Sequence, residues 1–463
     1  MRGSGAIHDL DRPAGFAGTL FTLYPRLIQR PSADPAAPVR VVIWIYFWLL
    51  LCEGVLRKWV WPSQSDLLFV IRDPVAILAY VLALRAGVFP IRPAVIVLGV
   101  MMLLSVLFTL TTDTPPLVLL FGLRTDFLHL PLVFVIAAVM DRNDVTRMGR
   151  WFMIASIPIV ILMVRQFDAD PGDPINVGAG GFSGGQLRGA MGKIRPPGPF
   201  SFITGPVSYF SIVAAYVCHG WSEARSYPRL WLWLGTCAVI AVVPVSISRS
   251  LLLGVLIVIA FAGVVTLRNP RTVPRFIGPV VVAGSFLAFA ADTVYVQAFL
   301  TRWDEASSAG NAGFYNNSVA RLIGTFTQPF MIASDTPLLG HGVGMGTVAG
   351  SRLMTGKFMF VLSESELMRN ILELGPVLGF AFIAWRAWLA ITLVARGWRA
   401  AREEGDVLPW MLAGATFLNV LTGQWGQATQ LGFAVLGAGL TLAALNRPAA
   451  DDWSEETDTA PEG

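Results

Sequence analysis

Arg249 stands in PVSISRSLLLG, between two apolar runs with almost no connecting loop. A guanidinium presents a planar fork that matches phosphate oxygens, so a cation fixed there could dock an anion such as a lipid pyrophosphate. A single arginine at a membrane surface can also be there only because its head snorkels into water. Both readings are open from the residues alone. Arg188, Lys193 and Arg195 offer similar chemistry in the stretch DADPGDPINVGAGGFSGGQLRGAMGKIRPPGPF, whose acidic half holds Asp168, Asp170 and Asp173. That stretch is either a flexible connector or an anion-binding lip whose glycines let backbone amides approach a ligand.

Carboxylates gather farther along the chain. Glu364, Glu366, Arg369 and Glu373 mark the entry to a long apolar run, and the three-residue and four-residue spacings put Glu366, Arg369 and Glu373 on one helical face. Acidic residues at a helix start are ordinary helix-end chemistry; a substrate-orienting or catalytic role is the alternative. Near the N-terminal apolar run, Glu53 precedes Arg57 by four residues and can pair with it, with Arg72 and Asp73 within reach of the same network. His341 is the lone histidine of a long polar stretch. No metal-ligand spacing exists, and no Ser-His-Asp arrangement can be assembled. The run PLLGHGVGMGT alternates glycines at 340, 342, 344 and 346 but lacks the Lys-Ser/Thr of a nucleotide-binding loop, so a tight turn is expected. Cys52, Cys218 and Cys237 fall in apolar stretches and read as small buried hydrophobes.

The surroundings of these residues are apolar. Of the 463 residues, 54% are hydrophobic and 14% charged, against roughly 25% charged in a soluble chain. Mean hydropathy is +0.62. A formal net charge of +4, with the basic residues scattered among separate loops, argues against nucleic acid as a partner. Apolar cores at 41–56, 67–84, 93–110, 127–140, 150–164, 201–218, 230–246, 250–267, 273–291, 367–394, 408–420 and 427–445 predict an all-α, polytopic transmembrane bundle of about 12 spans. Arginines recur in alternate loops, at 85 and 92, at 142, 147 and 150, at 225 and 229, at 268, 271 and 275, and at 396, 399 and 402. That alternation puts both termini in the cytoplasm. Residues 1–40 then form a cytoplasmic tail, 41–446 the bundle, and 447–463 an acidic, disordered cytoplasmic tail. The segments 165–200 and 292–366 become loops on the opposite side, the larger between spans 9 and 10, with RLIGTFTQPFMIA as a short amphipathic helix inside it.

Four stretches resemble the O-antigen ligase and O-antigen polymerase superfamily of bacterial membrane enzymes. They are IRPPGPFSF at 194–202, SISRS at 246–250, the sequence from Arg321 to PLLGHGVGMG, and ILELGPVLGF at 371–380. EGVLRKWVWP at 53–62 also resembles the start of uncharacterised bacterial members. The resemblance implies an inner-membrane helical bundle roofed by a large periplasmic loop. It implies transfer of a glycan from undecaprenyl diphosphate to an acceptor sugar without metal or other cofactor. Its partners would be the lipid-linked donor, a glycan or lipid acceptor, membrane lipids and polysaccharide-assembly proteins. Arginines of the outer face would hold the diphosphate, a role that falls on Arg249 and Arg321, with Arg188 and Arg195 as helpers and His341 and Arg369 as further substrate-binding residues. Ligase-like members carry His-Asn nine residues before the Glu of Glu-x-Gly. Here Glu364 and Ser365 stand at that point and the histidine is absent: either Glu364 serves as the general base in its place, or the chain is of a polymerase-like branch or has lost ligase chemistry. A small-anion transporter and a non-catalytic component of a polysaccharide assembly are the alternatives from other classes.

Overall fold

The structure is a computed structural model that describes residues 34–183, 185–223, 226–308, 313–356 and 361–446, without the side chains of 306–308, 313–322 and 348. The two expected tails lie almost wholly outside the described residues. The helices in chain order are α1 (Ala37–Val55), α2 (Ser65–Phe69), α3 (Arg72–Arg85), α4 (Pro93–Thr109), α5 (Pro116–Leu123), α6 (Pro131–Val139) and α7 (Arg142–Asp168). There follow α8 (Thr204–Ser222), α9 (Arg229–Val245), α10 (Arg249–Arg268), α11 (Val273–Ala290), α12 (Val294–Ser308) and α13 (Gly313–Ala333). The last four are α14 (Val348–Thr355), α15 (Glu366–Arg399), α16 (Leu408–Thr422) and α17 (Ala428–Ala443).

Local chemistry explains several boundaries. Proline occupies the first turn of α1, α4, α5, α6 and α16, where its missing N–H costs nothing. The Asp141 side chain caps α7 by accepting from the Asp144 amide at 2.8 Å, and Ser248 caps α10 by accepting from the Leu251 amide at 3.4 Å. Inside α15, Gly375 breaks the helix with φ 78° ahead of Pro376. Proline removes a helical donor and disfavours helical geometry in the residue before it, and glycine takes the left-handed angle at no steric cost.

The chain is an all-α, multi-pass membrane-like bundle. Seven helical runs among the described residues are long and apolar enough to cross a bilayer: Ala37–Val60, Pro62–Arg85, Pro116–Val139, Arg142–Asp168, Arg249–Arg268, Pro270–Ala290 and Glu366–Glu404. The remaining expected spans fall on α4, α8, α9, α16 and α17, of which all but α8 are shorter apolar helices. The expected span at 127–140 turns out to be the second half of a longer run that starts at Pro116. Arg124 and Asp126 interrupt its hydropathy and sit in a π turn, Arg124–Leu128, that joins α5 to α6. The segment 292–366, expected as a loop, carries α12, α13 and α14, and α13 contains the amphipathic stretch anticipated at 321–333.

Burial is uneven. α8 and α17 are buried along almost their whole length, and α16, α6 and α7 pack around them. α10 and α11 lie at the periphery. Only 6% of the most apolar stretch of α11 is buried, so its apolar side chains face outward from the bundle.

Candidate functional site

Three segments meet at the Arg249 end of α10. The first is a tight hairpin in which the Arg195 amide donates to the Leu187 carbonyl at 2.8 Å and the Gly189 amide to the Lys193 carbonyl at 2.7 Å. Met191 and Gly192 turn its tip with φ of 54° and 71°. Its root is clamped at Gly198, whose amide donates to the Gln166 side chain at 2.8 Å and whose carbonyl accepts from Lys58 Nζ at 2.6 Å. Lys58 also donates to the Phe200 carbonyl at 2.9 Å, so a buried ammonium is spent on backbone oxygens rather than on a carboxylate.

The second segment is the turn before α10. Buried Ile247 has φ 47°, an uncommon conformation for a β-branched residue. Its side chain lies against the hairpin: a Cβ on Gly189 would come within 2.9 Å of Ile247 Cδ1. The hairpin and the Arg249 turn are therefore held together by a strained residue, and a cation at the first position of a helix opposes the positive end of the helix dipole.

The third segment is α12. Its Tyr295 packs on Phe167 with ring centroids 4.7 Å apart and donates to Asp168 at 2.9 Å, and its Arg302 pairs with Glu305 at 3.0 Å. Arg195 sits between the segments. Burial first, then the charges of Arg302 and Arg249, pull its guanidinium below the usual arginine range, with Glu305 offsetting part of this. The Nε atoms of Arg195 and Arg302 are both buried and have no hydrogen-bond partner among the described residues. Three guanidiniums thus act on one another at one end of an apolar bundle, with Glu305 beside them and two Nε atoms that no described residue meets.

The other expected residues lie differently. Arg188 is exposed on the hairpin, where its backbone bridges Ile194. Glu364 is exposed ahead of α15, and its carbonyl accepts from Gln424 at 3.0 Å. Arg321 lies on α13, but its side chain is outside the described residues. His341 is exposed, its amide donating to the Leu372 carbonyl at 2.8 Å and its carbonyl accepting from Thr114 at 3.2 Å.

Arg369, expected at the substrate, is instead enclosed by its own carboxylates. It donates to Asp126 at 2.6 Å, to Glu366 at 2.7 Å and to Glu373 at 2.7 Å, and its side chain is 3% exposed. All five of its N–H groups are taken up, so it offers a ligand no donor. The glycine run completes this arrangement. Glu373 accepts from the amides of Gly344 at 3.0 Å and Gly346 at 2.7 Å, and its carbonyl, freed by the break at Gly375, accepts from Gly342 at 3.2 Å. Gly340, Gly342 and Gly344 all take left-handed angles to do this. The run is the tight turn expected, wrapped on a broken helix.

Arg386 extends the lattice by donating to Glu366 at 3.3 Å and to the end of α16 at the Val420 and Gly423 carbonyls, 3.0 and 2.7 Å away. The N-terminal network expected around Glu53 is also present: Glu53 accepts from Arg57 at 3.1 Å and Arg72 at 2.8 Å, while Asp73 accepts from Arg124 at 2.5 Å and contacts His129 at 3.0 Å. Arg302, Asp126, Arg124 and Arg386 were not singled out by the sequence reading. Among the described residues no group of His, Cys, Asp and Glu is disposed to hold a metal ion.

Compared with family models, with curated proteins and with solved structures, the chain matches none.

Proposed function

We propose that this chain transfers a glycan from a polyprenyl-diphosphate carrier to an acceptor hydroxyl, with Arg195, Arg249 and Arg302 holding the diphosphate. One observation carries the reading: the buried Nε atoms of Arg195 and Arg302 have no partner among the described residues, while the charges of Arg302 and Arg249 both bear on Arg195. Guanidiniums in mutual repulsion with unmet donors suit an oxygen-rich, multiply charged ligand. The position, on a membrane bundle at the start of an apolar helix, suits a ligand whose hydrocarbon stays in the bilayer.

In the reaction the acceptor oxygen attacks the anomeric carbon, and the bond from that carbon to the phosphate oxygen breaks. The electron pair leaves with the diphosphate, where the arginines oppose the growing negative charge. Such preorganised donors are worth about 3–4 kcal/mol each when aimed at developing charge. The acceptor proton passes to a base. Glu364 is the carboxylate we assign, exposed at the entry to α15 and so open to an incoming sugar. A single displacement of this kind inverts the anomeric centre. Four short motifs in the order found in the O-antigen ligase and polymerase superfamily support the same reading, which would place the site on the periplasmic side of a bacterial inner membrane.

The test is turnover of a defined polyprenyl-diphosphate glycan by the purified chain in vesicles, with Arg195→Gln, Arg249→Gln and Arg302→Gln compared singly. Transfer should fall by about 100-fold or more in each variant while the thermal midpoint holds. Undiminished transfer in all three would sink the proposal.

A further inference from the structure

The opposite end of α10 carries a second arginine-rich feature. α10 spans 20 residues, so Arg268 lies about 30 Å from Arg249 along its axis. A cavity of about 510 Å³ opens there, bounded by the last residues of α8, by the turn between α10 and α11, and by the far end of α15. Arg268, Arg271, Arg275 and Arg402 line it together with Trp398 and Glu223.

We propose that this cavity binds the phosphate headgroup of an anionic phospholipid whose acyl chains lie along α10 and α11. Charge complementarity identifies the occupant. Among the described residues none of the four arginines has a carboxylate within salt-bridge distance, and Glu223 is already engaged by Arg142 at 3.0 Å and His219 at 3.1 Å. Arg275 is anchored to the Ser222 carbonyl, and Arg268 lies over the Trp398 ring at 5.1 Å. A tryptophan beside a cation is characteristic of the headgroup level of a bilayer.

The walls leading away from the cavity are hydrocarbon-like. On α10, Leu256, Ile259 and Leu267 are exposed at 49%, 52% and 83%, and on α11 Ile277, Val280, Val281, Leu287 and Phe289 are exposed as well. α11 packs on α8 and α9, and the outward faces of α10 and α11 beyond the arginines are left exposed. A free phosphate would satisfy the arginines and leave this exposed apolar surface unused. A phospholipid satisfies both. Basic pockets between membrane helices on the arginine-rich side are where such headgroups bind. The site stands apart from the Arg195 end, and its failure would leave the glycan-transfer reading untouched.

The full chain, purified in an uncharged detergent, is titrated with phosphatidylglycerol, phosphatidylcholine and inorganic phosphate, and bound species are counted by native mass spectrometry. Phosphatidylglycerol should bind at least about tenfold tighter than phosphatidylcholine, and Arg271→Gln combined with Arg402→Gln should weaken it about thirtyfold. The matching pair of lysine substitutions, which keeps the charge, should retain binding to within about threefold. Equal affinity for the two lipids, or an unchanged affinity in the glutamine pair, overturns the proposal. So does inorganic phosphate that binds with the same loss on substitution while phosphatidylglycerol does not bind, since the ligand is then a free anion.

Discussion

Arg369 and Arg195 are both partly or wholly withdrawn from water, yet the protein treats them in opposite ways. Around Arg369, carboxylates and guanidiniums alternate until every donor is met. Taken with the neighbouring network, Glu53, Asp73, Asp126, Glu366 and Glu373 stand against Arg57, Arg72, Arg124, Arg369 and Arg386, five acids against five bases. The two halves adjoin at the π turn that carries both Arg124 and Asp126. Around Arg195, by contrast, the charges of Arg302 and Arg249 are offset only in part by Glu305, and the Nε atoms of Arg195 and Arg302 find no partner among the described residues. Burying an ion costs several kcal/mol, which is recovered only with good geometry and full hydrogen bonding. A region that meets that condition reads as architecture. One that leaves it unmet reads as a place kept for a ligand.

The largest expected effect comes from breaking the balanced region. Arg369→Met leaves Asp126, Glu366 and Glu373 facing one another in a buried site, at a cost of about 3–5 kcal/mol, a large share of a typical stability of about 5–15 kcal/mol. The variant should yield little monodisperse protein, as read by size exclusion and thermal unfolding in detergent. Adding Asp126→Asn should restore part of the yield, because that carboxylate then no longer needs a counter-ion while Glu366 keeps Arg386 and Glu373 keeps the glycine amides. If Arg369→Met alone unfolds at the parent temperature, the lattice is not structural and the contrast with Arg195 fails.

Arg195→Gln should behave the other way. It relieves repulsion with Arg249 and Arg302, so the thermal midpoint should stay level or rise while glycan transfer drops by about 100-fold. A fall in stability resembling that of Arg369→Met would erase the distinction between the two regions.

Gly189→Ala probes how the arginines are brought together. The new Cβ would stand 2.9 Å from Ile247 Cδ1 and 3.2 Å from the Lys193 carbonyl, tighter than ordinary contact. Overpacking of this kind costs about 1–3 kcal/mol. Because the displaced partner is the residue two positions before Arg249, transfer should suffer more than stability. Equal transfer per folded molecule would show that the hairpin does not position Arg195.

How far these regions were legible in the sequence follows from how local their interactions are. The pairs Glu53–Arg57, Glu366–Arg369 and Arg369–Glu373 lie within one helical turn, and spacing alone exposes them. The all-α, multi-pass character was equally readable, since hydropathy is a sum over neighbours, but only seven of the twelve expected spans lie in helices long and apolar enough to cross a bilayer. Asp126–Arg369 joins residues 243 positions apart, and no local pattern carries it. The same charge hid the start of the helical run at Pro116, because Arg124 and Asp126 look unfit for a bilayer until their partners are known. The glycines at 340, 342 and 344 announced a turn, but its attachment to Glu373 depends on the break at Gly375. Arg302 lay in a stretch that read as loop, so nothing flagged it as a neighbour of Arg195 and Arg249.

Glu223 lies between the two regimes and sharpens the contrast at small scale. It accepts from His219 at 3.1 Å, Arg142 at 3.0 Å and Ser226 at 3.1 Å, while 38% of its side chain remains exposed. The His219 hydrogen bond, with the Arg142 charge, lowers its pKa to about 2 from an ordinary 4.5. A depressed carboxylate stabilises the fold above its unfolded value and loses that contribution as pH falls through the folded one. Thermal midpoints measured from pH 5 down to about 2 should therefore fall more steeply in the parent chain than in Glu223→Gln. Solvent screening at this half-open position keeps the difference small, well below the Arg369 effect. Identical slopes would mean that the contacts around Glu223 contribute nothing, and that pairing in this protein matters only where water is shut out.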